Sequence, residues 1–188
     1  MIKFPLPLLG FCAYSGTGKT TLLTKLLPLL KREGLRVGMV KHAHHRFDID
    51  HPGKDSYELR KAGAEQMLVA SRRRMALVME TGDQQAEPHL EDALGMLALE
   101  HLDLVLVEGF KQAAIAKIEL HRPSLGKPLM YPEDRHIIAI ASDEPLELSH
   151  RVIAQLDLNR PEEFVRFILE IFIPQRAAIK TQEYSHAT

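Results

Sequence analysis

Within the first 33 residues, an apolar stretch, a glycine-rich bend and a leucine-rich helical pattern follow one another directly. Leu8 to Ala13 is short and apolar, as a buried strand requires. Ser15-Gly16-Thr17-Gly18-Lys19-Thr20 follows. From Lys19 to Glu33 the leucines at 22, 23, 26, 27, 29 and 30 form a wide apolar helical face. Pro28 inside this run removes a backbone donor and predicts a kink or the loss of the last turns. Gly34 reads as the helix stop, and Leu35 to Lys41 as the next strand. Strand, glycine loop, helix and strand make a parallel crossover unit.

The rest of the chain continues the alternation. Short helices are expected over Ser56–Gly63 and Leu90–Glu100. Strands are expected over Gln66–Ala70, Met75–Glu80, Leu104–Val107, Lys117–His121 and Ile137–Ala141. A last helix is expected to be capped by Asn159, supported by Glu162 as in a capping box, and ended by Pro174. The fold class is therefore α/β, a mainly parallel sheet flanked by helices with an extra strand pair. The 188 residues suit a single domain, over 1–174, with a flexible tail at 175–188.

Residues 13 to 20 nearly match the P-loop pattern G-x-x-x-x-G-K-[ST], with Ala13 in place of the leading glycine. The physical requirements survive that change. Gly16 and Gly18 let successive N–H groups turn into one concavity. The helix start adds its positive dipole end. Lys19 can reach outer phosphates, and the Thr20 hydroxyl can ligate magnesium. Ser15, Gly16, Thr17, Gly18, Lys19, Thr20 and Thr21 are thus the nucleotide-binding candidates. Tyr14 stands where the paired-lysine variants of this loop carry their extra Lys. A second acid is expected at the end of the apolar strand LVLV, which places Glu108, followed by Gly109, at the edge of the phosphate site. Glu108 would hold magnesium through water or orient the attacking water.

Lys41 to Asp55 reads KHAHHRFDIDHPGKD, with four of the ten histidines, at 42, 44, 45 and 51. Three readings stay open: a transition-metal site, a loop whose acids Asp48 and Asp50 help hold magnesium, and a solvated polar loop. The common guanine reader N-K-x-D is absent, because the only Asn is Asn159. Asp143, just after IIAIAS, either accepts guanine's two N–H groups or is an ordinary strand-end acid.

Net charge -1 and 6% aromatic residues argue against nucleic-acid binding by charge or base stacking. The amino-terminal apolar run is read as a first strand rather than a secretory signal. No run reaches the ~18 residues of a membrane span. One cysteine, Cys12, excludes an internal disulfide and fits a reducing compartment. A cytoplasmic protein without nucleic-acid or membrane partners is expected.

SGTGKTTL, GLRVGMVKHAHHRFDIDHPGKDS, RKAGA, DLVLVEGFK and KIELHR together resemble the molybdopterin-guanine dinucleotide biosynthesis adapter family (MobB). The likeness covers roughly residues 8 to 172 and keeps the order and spacing of these blocks. It implies a P-loop fold and GTP·Mg binding with weak GTPase activity. It also implies a homodimer sharing strands, and assistance to the guanylyltransferase that attaches GMP to molybdopterin. The residues carried over are Ser15 to Thr21, then Lys41, His42, Asp48, Asp50, Gly53, Lys54 and Asp55, and finally Glu108 to Lys111. Lys19 and Glu108 take the catalytic positions; Thr20, Asp48, Asp50 and Glu108 take the metal. No arginine finger is assigned, although Arg72, Arg73 and Arg74 are candidates from a partner subunit. Slow hydrolysis is therefore expected. Two further readings remain: a small-molecule kinase or ATP-dependent ligase on this fold, and a metal-delivery GTPase using His44 and His45.

Overall fold

The computed structural model describes residues 2–43, 47–82 and 87–176. The chain gathers into two compact units. One comprises the residues up to His42 and those from Leu90 onward; the other is Ala43–His89.

The first unit is built on six strands: β1 (Leu8–Ala13), β2 (Val37–Lys41), β5 (Leu104–Glu108), β6 (Ala116–His121), β7 (Ile137–Ser142) and β8 (Ala154–Asp157). Their order is β2-β5-β1-β6-β7-β8, and every neighbouring pair is parallel. All carboxyl ends therefore lie on one edge, with β1 in the middle. Alternation along β1 sends Leu9, Phe11 and Ala13 to one face and Leu8 and Cys12 to the other. On the first face pack α1 (Lys19–Arg32), through Leu22, Leu23, Leu26 and Leu30, and the carboxyl-terminal helix, through Phe164, Phe167, Ile168 and Phe172. On the second, α3 (Leu90–Gly95) buries Leu90 and Leu94 against Val105 and Val107. Burying a Leu or Phe side chain is worth about 1.5–3 kcal/mol, so these two layers dominate the cohesion of the unit. Burial, the first cause, pushes the Cys12 thiol up to about 12, which keeps it unreactive.

Helix α1 runs unbroken through Pro28. Pro28 is on the exposed face, so the carbonyl left without its donor faces water while the leucines hold the helix together. The last helix departs from expectation at both ends. Its N-cap is Arg160, with Pro161 at the first helical position, and no side chain caps it. The carboxylate of Glu163, rather than Glu162, accepts a backbone N–H, from Asp157. After α4 (Pro161–Arg166) the helix widens to π geometry over Phe167–Phe172 and continues through Pro174 to Arg176. Residues 177–188, most of the expected tail, lie outside the described residues. Strand β8 has no counterpart in the sequence reading. The expected helix over Leu90–Glu100 is α3 followed by a 3₁₀ turn, Leu99–His101.

The second unit contains α2 (Asp55–Lys61) and an antiparallel hairpin, β3 (Gln66–Ala70) with β4 (Met75–Met79). Leu68, Met75, Leu77 and Met79 lie on one face of the hairpin and are all exposed. Arg60 of α2 is the polar centre of the unit. Its buried guanidinium bonds Asp48, Asp50 and Glu80.

Candidate functional site

The bend from β1 to α1 opens on the carboxyl edge of the sheet. Gly16 (φ 82°) and Gly18 (φ 99°) both take left-handed backbone, a conformation that costs an L side chain about 1–2 kcal/mol. A Cβ on Gly16 would meet nothing within 4 Å, so the concavity is open there. Thr17 is buried and anchors the turn, its hydroxyl donating to the Tyr14 carbonyl at 2.8 Å. Among the described residues no side-chain acceptor takes the N–H groups of Gly16, Gly18, Lys19, Thr20 or Thr21. A row of uncapped donors at a helix start is an anion cradle.

Lys19 leans back over this cradle. Its Nζ donates to the carbonyls of Ala13 at 3.3 Å and Tyr14 at 3.5 Å. Burial lowers its pKa, and the charge of Glu108 opposes that shift. Lys111 and Lys41 act on Lys19 in the same direction as burial, and the Lys111 ammonium sits 5.4 Å from the Tyr14 ring centroid. A cluster of three lysines and one carboxylate therefore borders the cradle on its β5 side, a field suited to a polyphosphate.

Glu108 ends β5 opposite Lys41 of β2, with 3.6 Å between ammonium and carboxylate. A side chain on the next residue, Gly109 (φ 91°), would displace His42, because its Cβ would lie 2.6 Å from that of His42. Phe110 also has positive φ, 39°, and its ring lies 4.8 Å from the His42 ring. His42 thus packs the turn that follows the acid.

On the opposite side of β1 stands Arg122, which the sequence reading did not single out. It follows β6, donates from Nε to the Thr17 carbonyl at 2.9 Å, and pairs through Nη1 with Asp143 at the end of β7. Asp143 is thereby tied to the phosphate loop by one intervening guanidinium. The available signal was positional: a cation one residue past a strand that neighbours β1.

Asp48 and Asp50 lie in the second unit, where both are ion-paired to Arg60. His44 and His45 lie outside the described residues, and among the described residues no three His, Cys, Asp or Glu side chains form a metal-holding group.

The sequence model described as molybdopterin guanine dinucleotide synthesis protein B matches residues 8–143. The chain belongs to the MobB family. Among its relatives, the molybdopterin-guanine dinucleotide biosynthesis adapter protein of Escherichia coli strain K12 is 52% identical over 169 residues, 89% of this chain and 94% of that protein. The protein of the same name from Haemophilus influenzae is 43% identical over 164 residues, 87% and 88% of the two chains. The crystal structure of a MobB homologue from Bacillus stearothermophilus superposes with TM-score 0.63 at 27% identity, covering 87% of this chain and 95% of that one. The MobB fold is thus the six-stranded sheet described above, and the matched region contains the phosphate loop, Glu108, Arg122 and Asp143. No helix among the described residues is long and apolar enough to cross a membrane.

Proposed function

We propose that this MobB-family protein binds GTP on the β1–α1 loop and acts in the cytoplasm as an adapter for the guanylyltransferase that joins GMP to molybdopterin. In this reading residues 1–174 are one nucleotide-binding domain that carries the 43–89 unit as an insertion. The observation that carries the reading is the open row of uncapped amides with Lys19 folded against it. The residues fit a triphosphate. Lys19 would swing from two backbone carbonyls to the outer phosphates, a stronger charge-assisted contact. The Thr20 hydroxyl and Glu108 would hold magnesium, which when bound neutralises phosphate charge. Asp48 and Asp50 are occupied by Arg60, so the magnesium proposal rests on Thr20 and Glu108.

Hydrolysis is slow in this reading. Phosphoryl transfer depends on charge stabilisation at the γ-phosphate, and Arg122, the arginine bound to the loop, lies on the side of β1 away from Glu108. We further propose a homodimer in which the exposed apolar face of the β3–β4 hairpin is covered by a second copy. Names of its relatives that include "adapter" support a partner enzyme.

The test is co-purification with the guanylyltransferase, with and without a non-hydrolysable GTP analogue, alongside calorimetry with that analogue. Analogue binding at micromolar levels with recovery of the enzyme is expected. Failure of the wild-type chain to bind any guanine nucleotide overturns the reading.

A further inference from the structure

We infer that Lys117, buried on β6, is a positioning residue for the phosphate site. Its ammonium holds the loop that follows Glu108 and so sets Lys111 as a second cation on the polyphosphate. The inference rests on the polyphosphate reading of the β1–α1 loop.

Alternation along β6 sends Ile118 and Leu120 to the α1 face and Lys117 to the other. The Lys117 side chain is only 2% exposed, so it touches no ligand itself. Its stem crosses the central strand. Lys117 stands opposite Gly10 in the β1–β6 register, and a Cβ on Gly10 would lie 2.8 Å from the Lys117 Cγ. The glycine leaves the space through which this side chain passes from β6 toward the loop after β5. There the ammonium donates to the carbonyls of Lys111 at 2.7 Å and Ala113 at 3.0 Å, and it pairs with the Asp134 carboxylate at 2.5 Å. An ammonium has three protons, so every donor is used. Asp134 is itself oriented, because its other carboxylate oxygen accepts the backbone N–H of His136 at 2.8 Å.

A buried ion pair is a poor source of stability, since the cost of taking both charges out of water offsets their attraction. What it supplies here is geometry. An apolar side chain would fill the same space and bond neither carbonyl. The loop so held starts at Gly109 and carries Lys111, whose ammonium lies 5.4 Å from the ring centroid of Tyr14 in the phosphate loop. Tyr14 is the position at which paired-lysine loops carry their second lysine. Lys111 brings to that place, from the same chain, the charge that the loop itself lacks. Lys117 fixes the backbone from which it reaches.

A double-mutant cycle on the full chain tests this, with calorimetric affinities for pyrophosphate and for a non-hydrolysable GTP analogue in Mg²⁺. Lys111→Met should weaken both about tenfold or more, the size of one charge-assisted contact. Lys117→Met should weaken both by about the same factor in the wild-type chain. In the Lys111→Met background it should weaken them by less than about twofold, because the contact it serves is already gone. General damage to the fold would instead lower affinity equally in both backgrounds. Asp134→Asn keeps the lysine and turns an amide donor toward it. It should show the same pattern with a smaller first factor, and it takes the place of Lys117→Met in the cycle if that variant does not fold. Equal factors in the two backgrounds, or unchanged affinity in Lys111→Met, overturn the inference and leave the polyphosphate reading standing. If the wild-type chain binds neither pyrophosphate nor the analogue, both readings fall.

Discussion

The ammonium of Lys41 lies 3.6 Å from the carboxylate of Glu108, across a register in which the two residues face each other at the ends of neighbouring parallel strands. The Glu108 side chain is only 12% exposed, while that of Lys41 is 58% exposed. The acid is therefore a fixed point of the site and the lysine a movable counter-ion. Replacing the acid by its isosteric amide keeps the packing and removes the charge. Glu108→Gln should leave the fold intact and reduce the Mg²⁺-dependent gain in GTP-analogue affinity by about tenfold, the size of one charge-assisted contact. Calorimetry with Mg²⁺ and with EDTA checks this; an unchanged Mg²⁺ effect would remove Glu108 from the site.

Among the described residues Lys19 pairs with no carboxylate; it rests on two backbone carbonyls at 3.3 and 3.5 Å. Burial lowers its pKa, so the folded protein binds the proton less well than the unfolded chain. By linkage, stability rises with pH from the depressed folded value up to the ordinary lysine value. At neutral pH the charge is a cost to the empty protein that a bound polyphosphate offsets. Lys19→Met should thus lower nucleotide affinity by about 100-fold. Without nucleotide, its Tm should equal or exceed that of the wild type. Calorimetry and thermal melts test the two halves, and a lowered Tm would contradict the assigned burial cost.

The phosphate loop was legible because its requirements are local. Gly16, Gly18, Lys19 and Thr20 sit within five positions, and the flanking strand and helix announce themselves by periodicity. The parallel sheet was legible for the same reason, strand by strand. Arg122 was not: its role depends on β6 lying next to β1 and on Asp143 arriving from β7, and no local pattern carries that register. Strand β8 escaped because Ala154–Asp157 is short and half-exposed at the sheet edge, with no apolar run. Pro28 and Pro174 were read as breakers because propensity counts the lost donor. Both lie on exposed faces, where water takes the freed carbonyl and the buried Leu26, Leu30 and Phe172 keep the helices packed. The capping expectation at Asn159 failed because the helix begins two residues later, at Pro161, which puts Arg160 at the N-cap position.

Gly109 occupies left-handed backbone and has the His42 Cβ 2.6 Å from where its own would be. Two penalties add in Gly109→Ala: the backbone strain, and the displacement of a residue whose ring packs on Phe110. Together they should cost about 2–4 kcal/mol, lowering Tm by roughly 4–16 °C for a chain of this size. Because the turn follows Glu108 directly, Mg²⁺-dependent analogue binding should weaken in the same variant. Differential scanning calorimetry measures the first effect, and a Tm shift under 2 °C would mean the turn yields freely.

Arg36, just before β2, holds Asp103, just before β5, through Nε and Nη2 at 2.9 and 2.7 Å, and its backbone N–H donates to the same carboxylate at 2.8 Å. The side-chain bonds from Arg36, and then its backbone N–H, bring the Asp103 pKa down to about 2 from the usual 3.8. A carboxyl depressed in the folded state stabilises above its unfolded value and loses that stabilisation as pH falls through the folded one. The window is therefore between pH 4 and pH 2, at the amino-terminal edge of the sheet, opposite the phosphate loop. Asp103→Asn should lower Tm at pH 7, and the difference from wild type should shrink steadily as pH falls from 4 to 2. Nucleotide affinity should be unchanged, because the pair lies at the other edge. Melts across this pH range provide the check; a constant Tm difference down to pH 2 would show that the pair acts by packing and not by charge.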